Sequence, residues 1–566
     1  MSLTEAGGRS ARLVVPTTRT AVGLGCLALV AYFALLPLAL LVVKSFKGAG
    51  LFDNYALVLS SSANLRAVWW TFAVSAGAAV VALAMGLPLG WLVTATDLPA
   101  PRLWRSLFTL PYAIPSFIVA LAWTYLASER SGWLNRIAVE HLGLSSALLN
   151  VYSATGMILV MGVFFSPLVL MGVAESLARI DPALLEAARL SGASPGRALL
   201  DVAWPLVRRS ALGGALLAFL ATAASYGVPA LLGPSAHPPV HVLTTRVKAY
   251  IDLHTTRGFN QAIALSAGLF LLAFLFPLAS AAMGGSDRGA SARPPRPART
   301  RLGPWRWPCF AAVAAVFFGA VALPFLALLV SSFMTNAGLG FSPENLSLIH
   351  WKTVLSRSDA RTAIVNSLLL AGGAATVALI VAGLIAHGEA RSASRFRWVP
   401  AALLSIPYAT PGTVLAIGSI LAFTGGWGLN LFNTAWILLV AYAVKEGALA
   451  YRMVREGLAE VHPSMEEAAR ISGASWGRSI VDVLLPLIRG NLVAAWLLVF
   501  MPSFGELTMS VLLFGPQTQT VGTLLFELSS YEDPAAASVL AVIVVVVVIA
   551  ASLAVRRLSG GRHEGY

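Results

Sequence analysis

Lys445, Glu446 and Glu506 stand inside stretches that are otherwise apolar. Burying a charge costs free energy unless a partner meets it, and of the three Glu506, within a span, is the candidate for chemistry. Glu506 allows two readings. It lines an internal cavity and contacts a cationic or metal-bearing solute, or it sits at a local break near Gly505 and bonds to backbone. Lys445 and Glu446 read as a structural charge pair at a helix end. His237, His241 and His254 hint at metal, but Pro238 and Pro239 forbid the helix that would align an i, i+4 pair. A surface loop suits them better, and no metal site is expected. Cys26 and Cys309 have no disulfide or zinc spacing and read as small buried hydrophobes. A phosphate-binding loop needs Gly-Lys followed by Ser or Thr. None of the five lysines (Lys44, Lys47, Lys248, Lys352 and Lys445) follows a glycine. No nucleophile–base constellation stands out either, so neither an enzyme nor a chain-bound cofactor is expected.

The elements that carry these residues are apolar. Of 566 residues, 57% are hydrophobic and 11% are charged, against about 25% charged in soluble domains. A hydrocarbon core of about 30 Å needs roughly 20 apolar helical residues. Twelve runs meet that demand, near 21–43, 68–94, 106–127, 151–174, 210–232, 260–283, 308–332, 363–386, 398–422, 432–453, 491–514 and 535–555. The first follows Arg9, Arg12 and Arg19 as a signal peptide would. It is too long for a signal core and no Ala-x-Ala pattern follows, so it is expected to remain as a span. The fold class is therefore an all-α membrane protein with about twelve transmembrane helices.

The net charge of +14 reports orientation. Of the 39 Lys and Arg residues, 27 fall in loops on the side of the N-terminus and 11 on the other; Lys445 is the remaining one. Basic loops stay cytoplasmic, which predicts a multi-pass chain with both termini in the cytoplasm. The charges form no continuous basic face, so nucleic acid is not expected as a partner.

The chain repeats itself. Residues 175–208 and 456–489 agree at 19 of 34 positions without a gap. LPYAIP at 110–115 echoes IPYATP at 406–411, and SYGVP at 225–229 echoes SFGEL at 503–507. Tyr226 and Phe504 are thus equivalent aromatics, either packed or touching a solute. The spacing of the echoes gives the first half about fifteen extra residues, assigned to 128–150. Six spans per half leave the halves in the same orientation, a parallel repeat. The predicted layout is a first half at 1–283, a flexible cytoplasmic linker at 284–307 and a second half at 308–566. The linker is rich in Arg, Pro, Gly and Ser, and its arginines read first as a topology signal and second as a match for anionic lipid headgroups.

The strongest match between halves lies in a cytoplasmic loop, where neither lipid nor a core enforces sequence. Such constraint on a loop points to function. Asp181-Pro182 marks a helix start, and His462-Pro463 is its poorer version. Glu186-Ala187-Ala188-Arg189 and Glu467-Ala468-Ala469-Arg470 offer small side chains for close approach. Gly192 and Gly473 permit a turn other residues resist. Glu-Ala-Ala followed after three residues by Gly resembles the EAA loop of permeases in binding-protein-dependent ABC importers. The two fused halves, with LPYAIPSFIVALAW at 110–123, SYGVPALLG at 225–233 and SFGELTMSVLL at 503–513, resemble the ferric-iron group of these permeases. Thiamine and aminoethylphosphonate permeases are similar relatives.

That resemblance implies a type I importer permease in a bacterial cytoplasmic (inner) membrane, embedded in lipid. It implies two copies of an ABC ATPase subunit that carry the ATP-Mg. It also implies an external substrate-binding protein, periplasmic or lipid-anchored. The loops at 186–189 with Gly192, and at 467–470 with Gly473, would couple to the ATPase, and Glu506, Tyr226 and Phe504 would lie on the substrate path. Ferric iron is the first expected substrate, with thiamine or a phosphonate as alternatives. An ion-coupled secondary transporter also fits twelve spans in parallel halves. Such carriers need intramembrane ionisable groups, of which this chain has few, and the duplicated loop has no role in one.

Overall fold

The computed structural model describes residues 18–47, 50–141, 143–283, 300–336, 342–390 and 398–558. Their regular structure is helical, with three isolated bridges and no strand among the described residues. This is what a bilayer requires, since a helix satisfies its backbone polar groups within one segment. Among the described residues, eight helices are long and apolar enough to cross a membrane: Val22–Ser45, Ser62–Ala95, Ala154–Ala178, Gly196–Ala224, Thr256–Phe274, Gly303–Ser331, Ser358–Ala390 and Pro534–Val555. Three bent pairs qualify together: Pro101–Ala113 with Ser116–Ala127 (103°), Val399–Ala409 with Gly412–Ala422 (105°), and Trp476–Leu487 with Arg489–Phe504 (83°). That gives up to eleven. At the expected tenth position stands Ala435–Ala459. It carries Lys445, Glu446, Arg452, Arg455 and Glu456, too many charges to qualify by composition. The expected runs at 106–127 and 398–422 are thus broken helices; the third bend falls at Ile488, before the expected run at 491–514, which is itself interrupted after Phe504.

Proline causes the first two breaks. Pro115 and Pro411 cap the helices that follow, with nearly the same backbone angles (φ −54°, ψ 132° and φ −53°, ψ 139°). Neither can donate to the helix before it. The repeat extends to single hydrogen bonds. Thr71 in the second span accepts from the Leu243 amide at 2.9 Å, and Ser367 in the eighth accepts from the Val521 amide at 2.8 Å.

The halves share a core. One buried cluster joins Leu41, Phe117 and Tyr226 of the first half to Phe423, Phe504 and Leu540 of the second. Gly505 packs so closely on Pro115 that a Cβ there would overlap the proline ring. The extra residues of the first half include a helix, Trp133–Glu140. Asn135 tethers it by donating to Ser128 O (2.8 Å) and Leu149 O (2.6 Å). In the second half a tight hairpin pairs Thr424 with Asn430 instead.

Of the expected linker, 284–299 lie outside the described residues. Its last part is structured rather than flexible. Thr300 pairs with Thr96, the Leu302 amide donates to Asp97 Oδ1 at 2.8 Å, and the seventh span begins at Gly303.

Candidate functional site

The two loops fold as copies of one another. The helices Pro182–Leu190 and Ser464–Ile471 occupy the same place in each half. Asp181 caps the first, its carboxylate accepting from the Ala183 amide at 2.9 Å. In the second, His462 takes the place of Asp181, its Nδ1 accepting from the Ser464 amide at 3.3 Å, and the helix begins one residue later, after Pro463.

Both helices end the same way. Ser191 and Ser472 donate back to Ala187 O and Ala468 O at 2.9 and 3.0 Å. Gly192 and Gly473 follow with φ of +87° and +91°. The amides of Ala193 and Ala474 then reach Ala188 O and Ala469 O, each at 3.0 Å. This is a Schellman turn, whose left-handed residue is normally glycine. No atom lies within 4 Å of where a Cβ on either glycine would sit, so the glycines serve the turn and its open outer face. Ser194 and Ser475 start the next helices, accepting from Arg197 N and Arg478 N at 3.3 Å.

Glu186, Ala187, Arg189 and their counterparts Glu467, Ala468 and Arg470 are exposed, while Ala188 and Ala469 are half-buried. Large apolar side chains join them. Leu190 is 90% exposed and Ile471 is 88% exposed at equivalent positions, with Leu184 and Met465, and Leu200 and Val481, exposed beside them. These apolar side chains stay uncovered at matched positions in both loops. The sequence reading named the alanines and missed these residues; their signal is apolar identity at matched positions in an otherwise polar loop.

Inside the bundle, Glu506 sits at a break after Gly505, one of its two sequence readings. Its carboxylate accepts from Met509 N (2.8 Å), Ser510 N (2.9 Å) and Ser510 Oγ (2.6 Å), capping the short helix Ser510–Leu513. The side chain remains partly exposed. Phe504 is buried and stacks on Phe500 at 5.6 Å, and Tyr226 is buried 6.0 Å from the Phe526 ring. Tyr226, Glu506 and Phe504 all lie where the halves meet: Gly227 lies against Leu507 and Phe117.

Lys445 and Glu446 do not form the expected pair at a helix end. They lie in the middle of Ala435–Ala459, and no ion pair within 4.0 Å joins them among the described residues. The Lys445 ammonium donates instead to Tyr408 O (2.8 Å) and Thr410 O (2.5 Å), carbonyls freed by the break in the ninth span.

The family described as binding-protein-dependent transport system inner membrane component matches twice, over residues 86–283 and 374–561. The chain belongs to this family. It is a permease of a binding-protein-dependent ABC importer, multi-pass in the inner membrane, with both copies of the permease unit fused in one chain. The ferric transport system permease protein FbpB of Actinobacillus pleuropneumoniae is 22% identical over 529 residues, covering 90% of this chain and 73% of its own length. A Salmonella typhimurium permease named for 2-aminoethylphosphonate transport is 28% identical over 246 residues, covering 42% of this chain and 84% of its own. Among solved structures, a bacterial alginate ABC transporter in complex with an alginate pentasaccharide-bound periplasmic protein matches 45% of this chain and 96% of that one, at 18% identity and a TM-score of 0.36.

At the end of the permease opposite its two loops, a cavity of about 440 Å³ opens between the halves. Thr124, Ser128, Tyr152, Thr335, Asn336 and Asp533 help line it, and among the described residues no lysine or arginine does. His237, His241 and His254 lie exposed on surface loops, and no metal-holding group of three His, Cys, Asp or Glu occurs among the described residues.

Proposed function

We infer that this permease passes a solute from an external binding protein to the cytoplasm, driven by two copies of a separate ABC ATPase subunit that seat on its two cytoplasmic loops. One observation carries the reading: the loops match hydrogen bond for hydrogen bond, and both hold Leu190 or Ile471 almost fully in solvent. A solvated leucine and isoleucine that recur on a rigid turn suit a groove on a partner. Two equivalent loops suit two copies of that partner. ATP-Mg belongs to the partner, since this chain carries no Gly-Lys-Ser/Thr loop.

Ferric iron is the first candidate substrate. The relative named for ferric transport spans nearly the whole chain, whereas the one named for aminoethylphosphonate spans less than half. The hydroxyl-rich cavity, with Asp533 and no cationic side chain among the described residues, favours a cation-bearing cargo over an anionic phosphonate. Both termini and the segment 284–299 are placed in the cytoplasm on the distribution of basic residues.

Two measurements test this. Single cysteines at Ala187 and Ala468 should each cross-link to the ATPase subunit in the assembled importer. Vesicles holding the permease, its ATPase and its binding protein should take up radioactive ferric iron with ATP inside the cytoplasmic compartment. Uptake that survives ATP depletion and collapses with the ion gradient would instead mean a secondary transporter.

A further inference from the structure

The loops match everywhere except in how they are held. Glu466, on the second loop helix, turns inward with its side chain about 10% exposed, and its Oε2 lies 3.0 Å from His387 Nε2 at the base of the eighth span. The His387 ring is 5% exposed and packs 6.0 Å from the Trp476 ring of the next loop helix. Two residues on, the buried carboxylate of Glu389 accepts from the Tyr451 hydroxyl and stands 4.0 Å from Arg455, both on the helix Ala435–Ala459.

The first half has none of this. The register set by Thr71 and Ser367 puts Trp91 and Val93 where His387 and Glu389 stand. The offset of 281 fixed by the 34-residue repeat puts Leu185 where Glu466 stands and, carried a few residues ahead of the repeat along the same helix, Leu170 and Ala174 where Tyr451 and Arg455 stand. Five polar positions at one base are five apolar positions at the other. Leu170 and Ala174 are at most 1% exposed, and Trp91 and Leu185 pack on the buried cluster of the first half.

We propose that the second loop is locked to the eighth span through Glu466 and His387 while the first rests on an apolar, slidable contact, so the two loops do not transmit ATPase motion equally. Apolar contact is non-directional and tolerates small displacement. A buried hydrogen bond between a carboxyl oxygen and an imidazole nitrogen is directional and weakens steeply when its geometry is lost. A rotation of the helix Ser464–Ile471 therefore reaches the eighth span without slack. The same rotation of Pro182–Leu190 is partly absorbed. Glu466 and His387 are positioning residues in this scheme. The inference rests on the reading that the loops seat the ATPase.

The test uses the assembled importer, with ATPase and binding protein, in vesicles, and reads ATP hydrolysed per solute imported. The double variant His387→Trp/Glu466→Leu transplants the first-half pair. It should raise that ratio roughly fivefold or more, the low end of typical coupling between sites, while Leu185→Ala changes it less than about twofold. Glu466→Gln keeps an oxygen acceptor for His387 and should restore most of the coupling, which a purely structural lesion would not predict. If the double variant fails to assemble, Glu466→Met, similar in length, is read in its place. An unchanged ratio in the transplanted chain, or an equal rise in Leu185→Ala, overturns the proposal. Failure of Ala468→Cys to cross-link to the ATPase in an otherwise unaltered chain would overturn the docking reading itself, and is scored separately.

Discussion

The Lys445 ammonium lies 2.8 Å from the carbonyl oxygen of Tyr408, on the helix that ends at the ninth-span break. A helix end leaves its last carbonyls without partners, and in an apolar interior none is supplied by water. Lys445 reaches two of them, Tyr408 O and Thr410 O. At the equivalent place in the first half, Phe164 packs 5.8 Å from the Tyr112 ring and supplies no charge.

Lys445→Met keeps the stem and removes the donors. Each orphaned buried carbonyl costs about 1–3 kcal/mol. The purified chain should unfold at a clearly lower temperature, while Phe164→Leu, which strands no polar group, should lower it less. An unchanged midpoint for Lys445→Met would refute this account of the break.

Glu506→Gln should lower transport while leaving assembly and ligand capture by the binding protein intact. Both carboxylate oxygens accept from backbone amides. Glutamine offers one oxygen, so one amide of the turn is left facing an NH₂ group. A destabilisation of about 1–3 kcal/mol is expected at that turn. A fully active glutamine variant would show that neither the charge nor the second acceptor matters to the path.

Much of this was readable from residue order. The apolar runs, the basic loops and the 34-residue repeat located nearly every span and both loops. Gly192 and Gly473 were chosen from the repeat alone, and their positive φ follows from what a Schellman turn requires. The kinks were not anticipated, although Pro115 and Pro411 caused them, because hydropathy averages over a break that keeps its residues apolar. Lys445 was misplaced for a related reason. Its partners are backbone carbonyls of another helix, which leave no mark in side-chain sequence. The His387–Glu466 contact joins residues 79 positions apart, and nothing local signals it.

The topology is tested from outside the cell. Cysteines introduced at Ser235 and Ser286 should label differently with an impermeant thiol reagent in intact cells. Ser235 lies exposed beside Pro234 in the segment between the fifth and sixth spans and should react. Ser286, between the halves, should not. Equal labelling would overturn the orientation.

The central claim is that the two loops carry ATPase closure into the membrane. Gly192→Arg and Gly473→Arg each place a bulky side chain at a φ near +90°, straining the turn by about 1–3 kcal/mol, and add bulk to the exposed face. The spans are untouched, so both variants should insert. Co-purification with the ATPase, measured beside transport in vesicles, decides the matter. Binding and transport should fall together in both variants, more severely for Gly473→Arg if the second loop is the locked one. Normal ATPase binding and full-rate transport in both would contradict the coupling role of these loops.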